Sequence, residues 1–299
     1  MSDKTEHNLP LELGLLALLA LLWGSSYLLI KVAVSTIPPI TLIAVRVSIA
    51  AVFLYCIMRL QGEKLPRDRS TWQKLFLQSV LNSIGAWTVL AWGQQYVDSG
   101  LASVLNSTAP IFVFFFTLCF TRHESTSLLK LLGASLGVFG VILIVGVDAL
   151  SGLGQQFLAQ LAVLSGAVMY AGAAINGRQF SHLTATVTAT ATMLWAMVFL
   201  IPASLVFEQP WNVQPSSQAV IATITLSLFS TGIALVIYFR LLRTLGSIGT
   251  ASQAYLRAGI GVALGVVFLG ETVTTVMAIG LLCAILGVAA INIPEKKNE

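Results

Sequence analysis

Residues 13–34 read LGLLALLALLWGSSYLLIKVAV, a run of 22 residues with a single charge, Lys31, near its end. At about 1.5 Å of rise per residue, a helix of that length crosses the roughly 30 Å hydrocarbon core of a bilayer. Its first part, from Leu13 to Ala20, resembles the apolar region of a signal peptide. The preceding segment, however, mixes Lys4 with Asp3 and Glu6, and the apolar run continues to Ile30. The stretch therefore reads as a retained first membrane helix.

Nine further apolar runs follow at 40–60, 75–95, 101–120, 128–147, 157–177, 185–206, 219–239, 248–269 and 275–293. Chain breakers fall between them: Pro38-Pro39, Gly62 with Pro66, Asp98-Ser99-Gly100, Ser151-Gly152 with Gly154, and Pro210 with Pro215. Of the 299 residues, 57% are hydrophobic and only 9% charged, against about 25% charged in an ordinary soluble domain. A mean hydropathy of +0.88 agrees. Such a chain has too little polar surface for water, so lipid is its solvent.

The net charge of +4 could suggest nucleic acid as a partner, but the basic residues lie in short connections and make no continuous patch. They report topology instead. With the N-terminus inside, the inner connections hold 13 of the 16 Lys and Arg residues, while the outer ones carry only Asp98, Asp148, Glu208 and Glu271. A miscounted helix would invert every later connection and destroy this segregation. The expected fold is all-α and integral to the membrane, with ten transmembrane helices and both termini cytoplasmic.

Five helices carry the chain from one side to the other, so a second set of five is inverted relative to the first. Shifting the chain by 147 residues lays Glu124, Gly133 and Gly140 on Glu271, Gly280 and Gly287, a shared E-x8-G-x6-G pattern. In this register Lys31 falls on Arg178, Trp23 on Tyr170, Asn106 on Gln253 and Pro110 on Arg257. We read residues 1–150 and 151–299 as two inverted five-helix repeats. Many transporters built this way bind cargo near the midplane between the halves.

Trp23-Gly24-Ser25-Ser26 with Lys31, Arg46 in the second run, Pro110 followed by Glu124 and the glycines, and Gly270-Glu271 together resemble the EamA-type branch of the drug/metabolite transporter superfamily. The resemblance covers nearly the whole chain and implies export of amino acids or related metabolites. Length and aromatic content look most like the YddG-like aromatic amino acid exporters of bacterial inner membranes. One departure is Arg257, at a register position where a proline is expected in many relatives.

An ionisable group inside a span costs about 2.5–3.5 kcal/mol on insertion scales and is a functional candidate by default. Arg257 is the deepest, with Gln253 one turn away on the same face. It reads either as a ligand for a substrate carboxylate or as a structural arginine bonded to carbonyls of another helix. Arg46 and Lys31 read first as topological or interhelical groups. Among uncharged polar residues, Asn82, Asn106 and Ser230 point to a cavity wall built by the third, fourth, eighth and ninth spans. Trp23, Trp87 and Tyr255 are deep enough to offer flat contacts to a substrate ring.

Function classes narrow accordingly. Cys56, Cys119 and Cys283 are isolated, and His7, His123 and His182 make no pair at ligand spacing, so neither a metal nor a cofactor is expected. HExxH is absent, which speaks against a zinc-dependent hydrolase. The only acid near a span interior is Glu12. The expectation is an inner-membrane, monomeric carrier of amino acids or related metabolites, working by alternating access and without proton coupling. A proton-coupled multidrug or metabolite antiporter using Glu12 is the alternative.

Overall fold

The computed structural model describes residues 9–120, 128–151, 155–245, 250 and 253–291. These residues form helices and connections without a strand. In chain order the helices are α1 (Leu9–Ala33), α2 (Pro39–Leu60), α3 (Arg69–Gly93), α4 (Ser99–Asn106), α5 (Ala109–Phe120) and α6 (Leu128–Ser151). There follow α7 (Gln155–Gly177), α8 (Ala185–Phe207), α9 (Ser217–Thr244), α10 (Gln253–Leu269) and α11 (Thr275–Ile291). Among the described residues, 7 helical stretches are long and apolar enough to cross a membrane, with shorter apolar helices at Leu131–Gly140, Leu256–Leu269 and Thr275–Gly287.

Two boundaries differ from the hydropathy reading because polar side chains cap the helices. Helix α3 begins at Arg69 rather than 75, since the Asp68 carboxylate accepts the Thr71 N–H at 2.7 Å and draws hydrophilic residues into the first turn. Ser216 does the same for α9 through the Ala219 N–H. The run at 101–120 is not one helix. It breaks at Ser107-Thr108 between α4 and α5. Pro110 is the cause: its ring has no N–H to donate to Asn106, four residues back, and crowds that carbonyl.

The packing repeats itself across the two halves. Helix α6 lies on α11 and α2 on α8, while α1 packs on α10 as α7 packs on α4 and α5. Likewise α3 packs on α7 as α9 packs on α1. Exchanging the first set of helices for the second returns the same arrangement. The glycine pattern shows it atom by atom. A Cβ on Gly140 would stand 2.6 Å from the Gly280 carbonyl oxygen, and one on Gly287 2.5 Å from that of Gly133. Helices α6 and α11 therefore meet backbone to backbone, as small residues allow in lipid.

Both halves also carry a π-helical turn at matching places, Val80–Gly85 within α3 and Leu228–Ile233 within α9. The segments share the pattern L-x-S-x-G, at Leu81, Ser83 and Gly85 and at Leu228, Ser230 and Gly232. Turns of this kind concentrate at functional sites.

Acids of the second half close one end of the bundle on backbone amides of the first. The Glu208 carboxylate accepts the N–H groups of Ile40 and Thr41 at 2.9 and 2.6 Å. The Glu271 carboxylate accepts those of Ser99 and Gly100 at 2.7 and 2.8 Å. Each satisfies orphan donors at a helix N-terminus and complements its dipole. Lys31 works at a C-terminus, donating to the carbonyls of Gln94 and Val97 at 2.9 and 2.7 Å. Burial, and next the Glu271 charge, raise the nearby Asp98 carboxyl above its ordinary value, with Lys31 opposing.

Replacing Glu271 with alanine removes two charge-assisted bonds and is expected to destabilise the fold by about 2 kcal/mol. Thermal unfolding of purified protein in detergent reads this as a lowered Tm. An unchanged Tm would mean that water satisfies those amides equally well.

Candidate functional site

A cleft opens between the halves, with about 620 Å³ of empty space counting the solvent at its mouth. Asn82 of α3, Pro110 of α5, Tyr170 of α7, Tyr238 of α9 and Gln253 of α10 line it. A smaller, deeper cavity adjoins it, with about 320 Å³ of empty space counting open solvent, walled by Tyr27, Arg46, Trp87 and Asn106. Trp23, Tyr170 and Arg257 line both, so the two spaces share a wall.

The proline break builds part of this wall. Asn106, whose carbonyl lost its helical donor to Pro110, instead accepts a bond from Arg257 Nη2 at 3.2 Å. The two residues that occupy equivalent register positions, Pro110 and Arg257, thus act on the same carbonyl: one frees it and the other binds it. The Arg257 guanidinium carbon stands 5.9 Å from the Trp23 ring centroid, and the residue is only 6% exposed.

Arg46 is buried even more completely, at 2% exposed. Its guanidinium lies 3.8 Å over the Trp87 ring, a cation–π geometry that holds the charge away from water. Arg46 Nε donates to Thr231 Oγ1 at 2.7 Å. That hydroxyl in turn donates to the Leu226 carbonyl, five residues back, at 2.9 Å. The π turn of α9 therefore presents the group that holds Arg46 in place.

Several buried polar atoms here have no hydrogen-bond partner among the described residues: Arg46 Nη1, Arg257 Nε, Asn106 Oδ1 and Gln253 Oε1. On the other side of its amide, Asn106 Nδ2 donates to the Tyr27 hydroxyl at 2.7 Å. Leaving such groups unmet is costly. All four residues line the cleft or the adjoining cavity.

Of the residues singled out by sequence, Trp23, Asn82, Gln253 and Arg257 line the cleft, and Trp87 and Asn106 line the deeper cavity. Asn82 donates to Ser83 at 3.2 Å. Ser230 is buried in the π turn of α9 but lines neither space. The Tyr255 side chain lies outside the described residues. Tyr27, Tyr238 and the inward aim of Arg46 escaped the sequence reading. Tyr27 sits one turn beyond Trp23, a spacing that pointed to it.

Glu12 belongs elsewhere. It is buried in the first turn of α1, ion-paired to Arg240 at 2.8 Å and accepting from the Thr244 hydroxyl at 2.9 Å.

The model of the family described as "EamA-like transporter family" matches residues 11–146 and again 157–293. The chain is similar to the uncharacterized inner membrane transporter YedA of Escherichia coli, 30% identical over 278 residues, covering 92% of this chain and 88% of that one. It is 28% identical over 277 residues to the uncharacterized transporter YoaV of Bacillus subtilis, covering 92% and 94%. Protein PagO of Salmonella typhimurium is 25% identical over 230 residues, covering 76% and 75%. A solved crystal structure aligns with a TM-score of 0.66 at 18% identity, over 93% of this chain and 96% of that one. At that identity the likeness shows the fold alone.

Proposed function

The chain belongs to the EamA-like transporter family, and from that premise we propose that it carries amino acids, aromatic or other neutral, or related small metabolites across the bacterial inner membrane by alternating access without proton coupling. Ten spans in two inverted sets of five, with cytoplasmic termini, fit both the duplicated family match and the segregation of Lys and Arg. In that topology Leu242 near the end of α9 and Gln253 at the start of α10, both lining the cleft, support a mouth on the cytoplasmic side. Rocking one set of helices against the other would exchange that mouth for an outer one. The cleft is enclosed by one chain, which favours a monomer as the working unit.

The observation that carries this reading is Arg257, buried at the junction of cleft and deeper cavity with Nε unpaired. One edge of its guanidinium is anchored on Asn106 and another is free to meet a substrate carboxylate. Trp23 and Tyr170 offer flat walls for a ring, as the resemblance to aromatic amino acid exporters implies.

Counterflow of radiolabelled aromatic and aliphatic amino acids in proteoliposomes, with and without a pH gradient, tests the proposal. Flux independent of the gradient and lost in Arg257→Gln is expected. Absence of any amino acid flux would remove that substrate assignment. The alternative, a proton-coupled antiporter through Glu12, requires that carboxylate to load and release protons in contact with the path. Glu12 is instead held by Arg240 and Thr244. Glu12→Gln is therefore expected to leave the pH response of flux unchanged, whereas a flattened pH profile would favour the antiporter.

A further inference from the structure

Proteins that bury charge in a cavity ordinarily balance it, because an unpaired ion in a poorly polarisable medium is unfavourable. This cavity is unbalanced. Arg46 and Arg257 both face it, and neither it nor the cleft has an Asp or Glu among its described lining residues. Five described acids are committed elsewhere. Glu12 serves Arg240, Glu208 and Glu271 serve helix N-termini, Asp68 serves the first turn of α3 and Glu63 accepts from Thr184. Each cavity arginine meanwhile keeps a nitrogen without a partner among the described residues.

Resting on the reading of this cleft as the transport path, we infer that among the amino acids and metabolites proposed above it favours a small organic anion with more acid groups than amino groups, gripped between the guanidiniums of Arg46 and Arg257. A zwitterion neutralises itself and leaves the second guanidinium uncompensated. A cation meets two charges of its own sign with no acid to receive it. The planar forks of two arginines match carboxylate, sulfonate or phosphate oxygens, often in pairs. Trp23, Trp87 and Tyr170 leave an apolar body between the acid groups well accommodated. The unpaired amide oxygens of Asn106 and Gln253 then accept a hydroxyl or N–H of the same molecule.

A test that needs no knowledge of the cargo reads the field of the cleft directly. Ala109 lines the cleft and is half-buried. Ala109→Cys is placed in a protein whose Cys56, Cys119 and Cys283 are changed to alanine, then reconstituted. Two methanethiosulfonate reagents of similar size, one ending in a sulfonate and one in a trimethylammonium, are compared by reaction rate, each normalised to its rate with a free thiol in solution. The sulfonate is expected to react faster by about tenfold, as a cleft of one sign concentrates its counter-ion. Arg257→Gln is expected to abolish that preference, with Arg46→Gln as the second variant should the first fail to fold. Equal rates, or a faster cationic reagent, would overturn the anion assignment and leave the path reading intact. No labelling by either reagent would overturn the path reading itself, and this inference with it.

Discussion

Gly287→Val is expected to leave little folded protein. Its Cβ would come within 2.5 Å of the Gly133 carbonyl oxygen and 2.6 Å of the Gly137 nitrogen, both backbone atoms of the facing helix α6. A flexible side chain could move aside, but here a helix must move, along the contact that joins the last span of each half. Overpacking in cores costs about 1–3 kcal/mol when side chains can adjust, and a backbone contact admits no such adjustment. The same applies to Gly140→Val, which meets Gly280 and Ala284. Gly259 is the control, because a Cβ there has nothing within 4 Å, so Gly259→Ala is expected to be neutral. Size-exclusion profiles of detergent extracts distinguish the outcomes. A monodisperse Gly287→Val peak at wild-type yield would show that α6 and α11 separate easily.

Arg46→Gln is expected to reduce transport by about a hundredfold, as follows from losing charge-assisted bonds worth about 3 kcal/mol to the cargo. Its effect on stability is expected to have the opposite sign. Removing Arg46 relieves the desolvation of a buried guanidinium. It also strands no partner, because Thr231 still donates to the Leu226 carbonyl. A Tm that holds or rises while flux collapses identifies a group kept for function at the expense of stability. Falling Tm and flux together would make Arg46 an interhelical strut. Arg46→Lys is expected to restore little, since an ammonium cannot reproduce the planar stack on Trp87 or the fork.

The membrane character and the duplication were legible because both rest on summed quantities, hydropathy over a span and charge over a connection. The register of 147 residues was legible in Glu124 and its two glycines against Glu271 and its two, and Gly140 against Gly280 and Gly287 against Gly133 realise it at the α6–α11 contact. Helix ends were less so, because Asp68 and Ser216 set them through single side-chain bonds that hydropathy does not weigh. The break after Asn106 was written in Pro110, whose steric reach extends four residues back.

The π turns were hidden from any reading that assumes 3.6 residues per turn, although L-x-S-x-G in both halves marked the place. Arg46 illustrates a deeper limit. Sequence gave its depth in the span, but its direction depends on Thr231, 185 residues away. Asn82, Trp87, Asn106, Gln253 and Arg257 were chosen for polarity or ring size at depth, and all of them face the cavities. Ser230 met the same criteria and packs in the π turn instead, since periodicity is shifted by the extra residue there.

Pro110 and Arg257 occupy one seat in the two halves, so a symmetric frame encloses an asymmetric lining. Were the frame to turn over as proposed, the cargo would face a different set of neighbours at each side of the membrane. For a carrier without an energy source, detailed balance lets that inequality assign unlike half-saturation concentrations to the two sides, offset by unlike reorientation rates. It does not let the inequality choose the direction of net flow. Whether such a protein empties or fills the cell then depends on which side holds more of its cargo.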